Sequence, residues 1–379
     1  MLGLNSLPPV STVRLFAFRV PLSRTLPGRP DEWFREGLLI EAELADGRKA
    51  VAEASPLPGF SRESLHETTV ELVRWCRAAV DGNAATPVLA AANFAVGSLL
   101  RQLADQHNTN QRENDPNQRD GHRTHDRDIE LNALVTADPQ GQADAIRLYR
   151  RGFRTFKVKV GRGDSDSEAS VAASIAALGE DVRIRIDSNR AWHLVEAVSF
   201  ARQLLTVCGR LGRQNDAVAY FEEPLSDPTQ LARFVADTGI RVALDESIRE
   251  ARGTDVLDPG HVVAAVLKPS LGGWTHTEQI ISLAKERGID CVISSSFESG
   301  VGLAVLARLA SNLTGSSVPV GLGTYDWIAR DVLSPRPALD GPRIRPIEPE
   351  VLASTLNRAQ LSLLVEEAAT GRSGNDAVL

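Results

Sequence analysis

Five strand-like stretches of this chain each end in charge, and this pattern constrains the fold more than any other feature. Together they carry two lysines, then three carboxylates and finally a third lysine: Lys157 and Lys159, Asp187, Glu222, Asp245 and Lys268. From Lys159 onward, successive charged ends lie 23 to 35 residues apart. That spacing is typical of successive strands in a parallel barrel with helices between them. The pattern predicts one active site at the ends of these strands.

Strand and helix patterns alternate from residue 129 onward and predict the eight strands of such a barrel. The strand candidates are 131–136, 155–161, 182–189, 219–224, 242–247, 264–270, 291–296 and 319–324. Amphipathic stretches lie between most of them, and they predict helices at 138–151, 167–178, 194–211, 228–238 and 276–287. This order is consistent with right-handed βαβ units. The connection after residue 247 is shorter and carries a weaker helix signal.

Alternation within the strands predicts which side chains face the barrel interior, because residues two apart in a strand share a face. Apolar residues at the intervening positions predict the outer face, toward the helices. The inward set is then Lys157, Lys159, Arg185, Asp187, Asn189, Asp245 and Lys268. Uncompensated charges inside a barrel are costly, so these groups must pair with one another, bind a cation, or do both. A buried ion-pair network without a catalytic role is the alternative that this pattern leaves open.

The residue types indicate a metal site. Asp187, Glu222 and Asp245 offer hard oxygen ligands from adjacent strands, which suit an octahedral Mg²⁺ that keeps positions for water and substrate oxygens. No histidine or cysteine stands among them, which argues against zinc.

The lysines indicate acid–base chemistry. Lys157 and Lys159 lie ~6.6 Å apart along the strand, and at an effective dielectric of about 20 their repulsion of roughly 2.5 kcal/mol lowers a lysine pKa by nearly two units. A lysine with such a pKa is suited to abstract a proton next to a carboxylate. Lys268 is expected to act as a second acid–base group or as a fixed cation facing developing negative charge.

The N-terminal part has a different pattern. Residues 12–20 and 38–53 alternate apolar and polar side chains, and Asp46-Gly47 is a strong hairpin signal. Helical periodicity follows at 64–80 and 87–103. The intervening segment 55–61 (SPLPGFS) is either a plain connection or a rigid lid segment, since proline restricts the backbone and Gly59 permits close approach.

Residues 105–128 contain no apolar side chain. A segment of this kind has no hydrophobic burial to offset the entropy of ordering, so it is predicted to be a disordered insertion between two domains. Its three histidines, His107, His122 and His125, leave a metal-binding tract as the alternative.

Bulk properties exclude several classes of protein. The net charge of −7 and the scattered lysines and arginines argue against nucleic-acid binding. The cysteines, Cys76, Cys208 and Cys291, fit neither a disulfide framework nor a zinc spacing, which favours a reducing compartment. No apolar run approaches the ~18 residues of a membrane span, and the N-terminus lacks a signal-peptide pattern. We therefore expect a cytoplasmic protein without a membrane partner.

Six motifs of this chain resemble those of a known protein family. The order FKVKVG, RIRIDSNRAW, YFEEP, VALDES and VLKPS, followed by SSSFESGVGL, resembles the enolase superfamily, in particular its muconate-lactonizing subgroup, over nearly the whole chain. The mandelate-racemase branch expects a histidine on the seventh strand, where this chain reads CVISSSFES. That branch is excluded.

The resemblance implies an α/β fold, a (β/α)₇β modified TIM barrel with an N-terminal α+β capping domain. The expected division is a cap at 1–104, the insertion at 105–128, the barrel at 129–330 and a segment at 331–379 that returns to the cap. It further implies Mg²⁺, with Mn²⁺ as a substitute, on Asp187, Glu222 and Asp245. Lys159 and Lys268 would form the acid–base pair, with Lys157 assisting Lys159. The strand pattern leaves Glu222 and Glu223 open as ligands, and the family uses the first of the pair.

Within the subgroup, SPLPGFS, RPDEWFREGLLIEAEL and IDSNRAW resemble the o-succinylbenzoate synthase family. The implied activity is the syn dehydration of a small molecule, 2-succinyl-6-hydroxy-2,4-cyclohexadiene-1-carboxylate, in menaquinone biosynthesis. The loops at 29–37 and 56–61 would close over the substrate. The expected substrate-binding residues are Pro58, Gly59, Phe60, Ser61, Arg185, Asn189, Ser294, Ser295, Ser296, Gly321 and Gly323. Alternatives are an N-acylamino acid racemase or dipeptide epimerase of the same subgroup, and a catalytically silent barrel that binds a partner through its insertion.

Overall fold

The computed structural model describes residues 8–26, 28–113, 128–213, 215–250, 256–313, 318–339 and 341–369. The N-terminal part contains three strands and two helices: β1 (Val10–Pro21), β2 (Phe34–Leu44), β3 (Lys49–Ala54), α1 (Leu65–Val80) and α2 (Ala90–Glu113). The predicted hairpin forms between β2 and β3, with Gly47 at φ +86°. Helix α1 begins at a capping box in which Ser64 and Glu67 satisfy each other's backbone N–H groups.

The barrel follows, and its elements alternate as the sequence predicts. They are β4 (Ile129–Glu130), β5 (Ala133–Thr136), α3 (Pro139–Arg150), β6 (Thr155–Lys159), α4 (Ser165–Ala176), β7 (Arg183–Asp187), α5 (Leu194–Arg210), β8 (Val218–Glu222), α6 (Leu231–Thr238), β9 (Val242–Leu244), α7 (Glu246–Glu250), β10 (Val262–Leu267), α8 (Pro269–Gly272), α9 (Trp274–Glu286), β11 (Asp290–Ile293) and α10 (Gly300–Leu313). The C-terminal part adds β12 (Arg343–Ile344), α11 (Pro349–Ser354) and β13 (Leu361–Ala368).

The C-terminal part contributes to the first sheet. Strand β13 pairs antiparallel with β1, so that sheet has the order β13-β1-β2-β3. One face of β1–β3 packs against α1 and α2 through an apolar cluster that includes Val13, Leu15, Leu38 and Ile40. The two ends of the chain therefore build one structure, hereafter the cap.

The parallel sheet closes into a barrel. Strands β5 to β11 lie in sequence order, each hydrogen-bonded to the next. Parallel bridges then join Leu131 to Val320 and Ser294 to Gly321, so the segment around Val320 stands between the first and last strands. The (β/α)₇β barrel is confirmed, although the predicted eighth strand at 319–324 is limited to these bridges and turns into a 3₁₀ helix at Gly323–Trp327.

Side-chain alternation places the charges as predicted. Val242, Leu244, Ala265 and Leu267 belong to the large apolar cluster beneath the helices. A separate small cluster of Tyr220, Ala243, Ala264, Val266 and Val292 fills the barrel interior. Asp245 lies two residues after Ala243, and Lys268 lies two residues after Val266. Because residues two apart in a strand share a face, the side chains of Asp245 and Lys268 also point into the barrel.

Six of the predicted strands run two or three residues past their observed C-terminal ends, and in two of them a helix begins within the excess. Residues 246–247 begin α7, because the Glu223 carboxylate accepts the N–H groups of Asp245 and Ser247 and ends the strand ladder there. Residues 269–270 begin α8, because Pro269 has no N–H with which to continue a strand.

The predicted insertion is wrong at its N-terminal end. Helix α2 continues through Glu113, and Asp105 and Gln106 are buried. Each has a polar contact: Asp105 lies 3.0 Å from Arg101, and the Gln106 amide donates to the Lys49 carbonyl at 2.8 Å. Residues 114–127 and the side chains of 107–113 lie outside the described residues, so the histidine tract there stays a prediction. Within the described parts of the chain, no helix has the length and apolar character needed to cross a membrane.

Candidate active site

The barrel strands bring the six predicted charged side chains to one end of the barrel. In the sheet register Lys159 is paired with Asp187, and Asp187 with Glu222. Asp245 directly follows β9, and Lys268 directly follows β10. The charges therefore lie at the carboxyl ends of neighbouring parallel strands, where barrel enzymes place their active sites.

The lysines and carboxylates form direct ion pairs. The Lys157 ammonium lies 2.7 Å from Asp187 Oδ2 and 2.6 Å from Glu222 Oε1. Lys159 donates to the same Asp187 oxygen and, at 2.7 Å, to Asn189 Oδ1. Lys268 pairs with Asp245 Oδ2. Lys159 and Lys268 are thus held against different carboxylates.

Burial and neighbouring charge shift the carboxyl pKa values in different directions. Asp187, Glu222 and Asp245 are at most 1% exposed. Burial alone raises a carboxyl pKa, but the ammonium groups of Lys157 and Lys159 outweigh it and hold the pKa of Asp187 well below its usual range. For Glu222, burial and the Asp187 charge raise the pKa to about 7.

The three lysines also differ. Burial lowers the pKa of Lys159, the charge of Lys157 acts in the same direction, and Asp187 opposes both. For Lys157, burial is outweighed by Asp187, Glu222 and Asp245, which raise its pKa. For Lys268, burial is outweighed mainly by Asp245, which again raises the pKa. A lowered lysine pKa is therefore found at Lys159, with burial rather than the neighbouring lysine as its largest cause.

The adjacent glutamates Glu222 and Glu223 have different surroundings. Glu223, at φ +41°, accepts the N–H groups of Asp245 and Ser247 on Oε1. Its Oε2 accepts from the Ser247 hydroxyl and from Arg190, each at 3.0 Å. Glu222 instead contacts Lys157 in the site. Both oxygens of Glu223 are thus engaged in fixing the chain, which leaves Glu222 as the site carboxylate.

The donor chemistry fits a hard divalent cation. Three nearly inaccessible carboxylates end neighbouring strands, and among the described residues the buried Asp245 Oδ1 has no hydrogen-bond partner. The side chains, however, are arranged as an ion-pair cluster, with the Lys157 ammonium between Asp187 and Glu222. In the described parts of the chain, no three His, Cys, Asp or Glu side chains converge on a common ion position.

Asn189 and Arg190 form a strained turn directly after β7, at φ +47° and +62°. The turn directs the Asn189 amide toward Lys159 on one side and Glu246 Oε1 on the other, at 2.7 Å and 3.2 Å. Arg190 contacts Glu223 and, at 2.7 Å, Glu250. The structure therefore brings Asn189 to the site. The sequence analysis did not identify the contacts of Arg190 with Glu223 and of Glu246 with Asn189.

Arg185 faces inward but lies one layer deeper in the barrel than Asp187. Its guanidinium donates to Asn132 Oδ1 at 3.1 Å and to the Pro319 carbonyl at 2.8 Å, and it lies over the Tyr220 ring. Its described partners are thus structural groups of the barrel, and its expected contact with substrate stays a prediction.

The predicted capping residues Pro58, Gly59, Phe60 and Ser61 form a turn at the edge of the cap. The turn is closed by Phe60 and Ser61 N–H bonds to the Leu57 carbonyl, and Gly59 adopts φ +83°. Phe60 is 48% exposed. A cavity of about 650 Å³ separates this turn from Arg249, Leu271 and His276 on the barrel side. The turn therefore lies across an open space from the barrel loops.

The predicted serine residues follow the strand next to Lys268, and Gly321 lies in the segment beyond them. Leu267 pairs with Ile293, so Ser294 follows at the level of Lys268. Ser295 Oγ contacts Thr324 Oγ1 at 2.6 Å, and both Ser294 and Ser295 approach the Gly321 carbonyl. Ser296 Oγ is buried without a partner. Gly323 begins the 3₁₀ helix that follows.

Among the described buried charges outside the predicted site, three that lie close together were missed. Arg35, Glu53 and Glu298 are at most 2% exposed and lie where the cap meets the barrel. Burial lowers the pKa of Arg35 and raises the pKa values of Glu53 and Glu298. Charged residues at apolar strand positions, as in FREGLLI and KAVAEA, were the available signal.

Comparison with known proteins extends these findings. The family model for the enolase C-terminal domain matches residues 141–349, and the model for the MenC N-terminal domain matches residues 10–103. An o-succinylbenzoate synthase of Enterobacter sp. (strain 638) is 32% identical over 320 residues, which cover 83% of this chain and 92% of that protein.

Two solved structures share the fold. The o-succinylbenzoate synthase of Thermosynechococcus elongatus BP-1, complexed with Mg in its active site, has a TM-score of 0.64 at 22% identity and covers 85% of this chain and 95% of its own. The dipeptide epimerase of Enterococcus faecalis V583 has a TM-score of 0.71 at 18% identity, over 93% and 99% of the two chains. On the family models and the curated relative, the chain belongs to the enolase superfamily and, within it, to the o-succinylbenzoate synthase family of hydro-lyases.

Proposed function

We propose that this chain catalyses the Mg²⁺-dependent syn dehydration of 2-succinyl-6-hydroxy-2,4-cyclohexadiene-1-carboxylate to 2-succinylbenzoate in menaquinone biosynthesis. One observation carries the proposal. A lysine with a lowered pKa, Lys159, and a second lysine, Lys268, are held against different members of a buried carboxylate triad. The relative of Enterobacter sp. named as such a synthase supports the choice of reaction.

Lys159 is the proposed general base. It removes the proton on the ring carbon that bears the carboxylate, for which its side chain must be neutral, and its lowered pKa favours that state. The protonated Lys159 then donates a proton to the departing hydroxyl. Because one group acts in both steps, the proton and the hydroxide leave from the same face of the ring, which is a syn elimination.

Lys268 is the proposed fixed counter-charge. Its raised pKa keeps the ammonium protonated near neutral pH, and negative charge develops on the substrate carboxylate as the proton leaves. Lys157, with a pKa also raised, is proposed to keep Asp187 and Glu222 in place and to hold its charge near Lys159.

Asp187, Glu222 and Asp245 are the residues that would hold Mg²⁺. When bound, the ion supplies positive charge that polarises a substrate carboxylate. The donor set supports this assignment, since three buried carboxylates from neighbouring strands match the ligands that Mg²⁺ prefers. Mn²⁺ is proposed to substitute because it accepts similar oxygen ligands.

Specificity is proposed to come from the loops. The turn at 58–61 faces the barrel across the 650 Å³ cavity. Ser294 lies at the level of Lys268 and is bridged to Gly321, and Ser294, Ser295, Ser296, Gly321 and Gly323 are proposed to contact the succinyl group or a carboxylate. Asn189 is proposed to orient Lys159, which it contacts directly.

The decisive experiment is an assay for 2-succinylbenzoate with purified protein and the cyclohexadiene substrate. We expect turnover that Lys159→Ala abolishes, that EDTA abolishes and that Mg²⁺ restores. Full activity of the metal-free enzyme, or of Lys159→Ala, would refute the mechanism.

A racemase or epimerase would use Lys159 and Lys268 on opposite faces of one chiral carbon, and the placement of the two lysines on different carboxylates is compatible with that reaction. N-succinylamino acids and dipeptides incubated in D₂O separate the two functions. Deuterium in the recovered amino acid without any dehydration of the cyclohexadiene would favour the racemase or epimerase.

A further inference from the structure

A set of buried polar side chains joins the cap to the barrel next to Lys268. This set, hereafter the cap–barrel seam, consists of Arg35, Glu53, Ser270, Glu298 and Ser299, which are each 2% exposed or less. None of them has a role in the reaction proposed above. Buried polar groups are retained at such positions only when their hydrogen bonds are satisfied, so the partners of each side chain show what it holds in place.

Glu298 connects the ends of two neighbouring barrel strands. Its Oε1 accepts the hydroxyl proton of Ser270, and its Oε2 accepts the N–H of Ser296 at 2.6 Å. Ser270 follows β10 and Ser296 follows β11. One carboxylate thus links the segment after Lys268 to the serine segment beside it.

Helix α8 carries this link to Lys268. The helix begins directly after that lysine, and the Lys268 carbonyl accepts the N–H groups of Leu271 and Gly272 at 2.9 Å and 3.0 Å. The backbone from which the Lys268 side chain projects is therefore part of the same short turn that Glu298 holds through Ser270. A lysine side chain has about 2 kcal/mol of rotamer entropy, so a fixed starting point matters for its placement.

The turn that carries Glu298 is itself held from the cap. Phe297 adopts φ +65°, and its carbonyl accepts Arg35 Nε at 3.0 Å. Arg35 also donates to the Ser55 and Pro56 carbonyls, where the 55–61 loop begins. Glu53 accepts the N–H groups of Ser299 and Gly302 at the start of α10. Glu298 therefore has little freedom to adopt another position.

We propose that Glu298 is a positioning residue that orients Lys268 through Ser270, and that Arg35 and Glu53 keep Glu298 in place when the cap is docked. The proposal rests on the function proposed above, in which Lys268 faces the developing negative charge. It adds that the cap acts on the reaction through the seam as well as through the loops that face the substrate.

Ser270→Ala, Glu298→Gln and the double variant test the proposal in the Mg²⁺-loaded enzyme. A positioning role predicts that kcat falls about 10- to 100-fold, the range typical of residues that orient a catalytic group, while KM stays within about two-fold. The double variant should lose little more than either single variant, because both substitutions change the same contact between Ser270 and the side chain at position 298. A purely structural role predicts lower thermal stability with kcat retained.

Ser98→Ala is the matched control. Ser98 is as buried as Ser270, and its hydroxyl donates to the Ala95 carbonyl within α2 of the cap. We expect its kcat to match that of the wild type. If Ser270→Ala folds and keeps its kcat within about two-fold, the proposal is overturned, even where Glu298→Gln is too unstable to assay.

Crystal structures of wild type and Ser270→Ala separate failure of this proposal from failure of the proposed function. If the wild type does not dehydrate the cyclohexadiene, the proposed function fails. The position of the Lys268 ammonium in the two crystal structures then tests the positioning role by itself. Displacement of this ammonium from Asp245 in the variant supports the positioning role, and an unchanged ion pair in the variant contradicts it.

Discussion

At the scale of single residues, the neighbouring glutamates Glu222 and Glu223 show how position decides role. Both are almost completely buried, but Glu223 accepts bonds that fix the start of α7 and the turn after β7, whereas Glu222 contacts the Lys157 ammonium. The sequence motif EEP does not by itself distinguish the two, because the distinction lies in the partners that each side chain meets in the folded chain.

Matched substitutions should separate these roles. Glu223→Gln should lower the free energy of unfolding by about 2–3 kcal/mol, since an amide cannot accept all the bonds that the carboxylate accepts. Glu222→Gln should abolish turnover with a smaller loss of stability, because Lys157 keeps its partner Asp187. Urea unfolding and turnover measured on both proteins check this. The reverse assignment would give an active Glu222→Gln and a stable, inactive Glu223→Gln.

We expect the pH dependence of kcat/KM to follow the ionisation of Lys159. A general base must be neutral, so kcat/KM should rise with pH through the pKa of Lys159 and level off above it. Burial lowers that pKa below its usual value, so the rise should occur below the range of an exposed lysine. A pH profile of kcat/KM for the wild type checks this rise. Lys159→Arg is the control, because that variant should lose the rise. A kcat/KM that falls over the same interval would contradict the assignment.

At the scale of the elements, the sequence predicts the barrel strands and their inward faces because both depend on local alternation. It fails where tertiary contacts override the local pattern. The strand ladder ends early at Asp245 because of a carboxylate more than 20 residues away, Glu223. Helix α2 continues past Leu103, where Asp105 contacts Arg101 and the Gln106 amide donates to the Lys49 carbonyl. Such partners cannot be read from residue composition.

The contact between cap helix α2 and barrel helix α9 gives an element-scale prediction. A Cβ added at Gly97 would lie 2.4 Å from Trp274, so Gly97→Ala must displace that ring and should cost about 1–3 kcal/mol of stability. A Cβ added at Gly209 in α5 would meet no atom of the described residues within 4 Å outside the helix's own backbone, so Gly209→Ala should be neutral or stabilising. Chemical denaturation of both variants is the measurement. Equal stabilities would mean that α2 and α9 are not in close contact at Gly97.

At the scale of the whole molecule, strands β1 to β3 pair with strand β13 from the C-terminal part to form the sheet of the cap. The barrel is formed by the part of the chain between them. The pattern of charged strand ends predicts the active-site charges and a parallel barrel, and the resemblance to a family implies the capping domain. Neither supplies the cap–barrel seam, because Arg35 and Glu53 find partners in the barrel, at Phe297 and Ser299, on either side of Glu298. Interdomain hydrogen bonds depend on how two domains dock, which no local pattern contains.

The seam predicts that cap and barrel unfold together. Arg35 donates to four carbonyl oxygens, and Arg35→Met would leave them without that donor at a cost of about 3 kcal/mol or more. Calorimetry should show one transition for the wild type, and a lower or divided transition for this variant. Arg19→Met is the control, because the Arg19 side chain is 58% exposed and its pairing with Glu36 is worth only about 0.5 kcal/mol. If both variants unfold as the wild type does, the seam does not couple the domains, and the cap must be held by its apolar contacts alone.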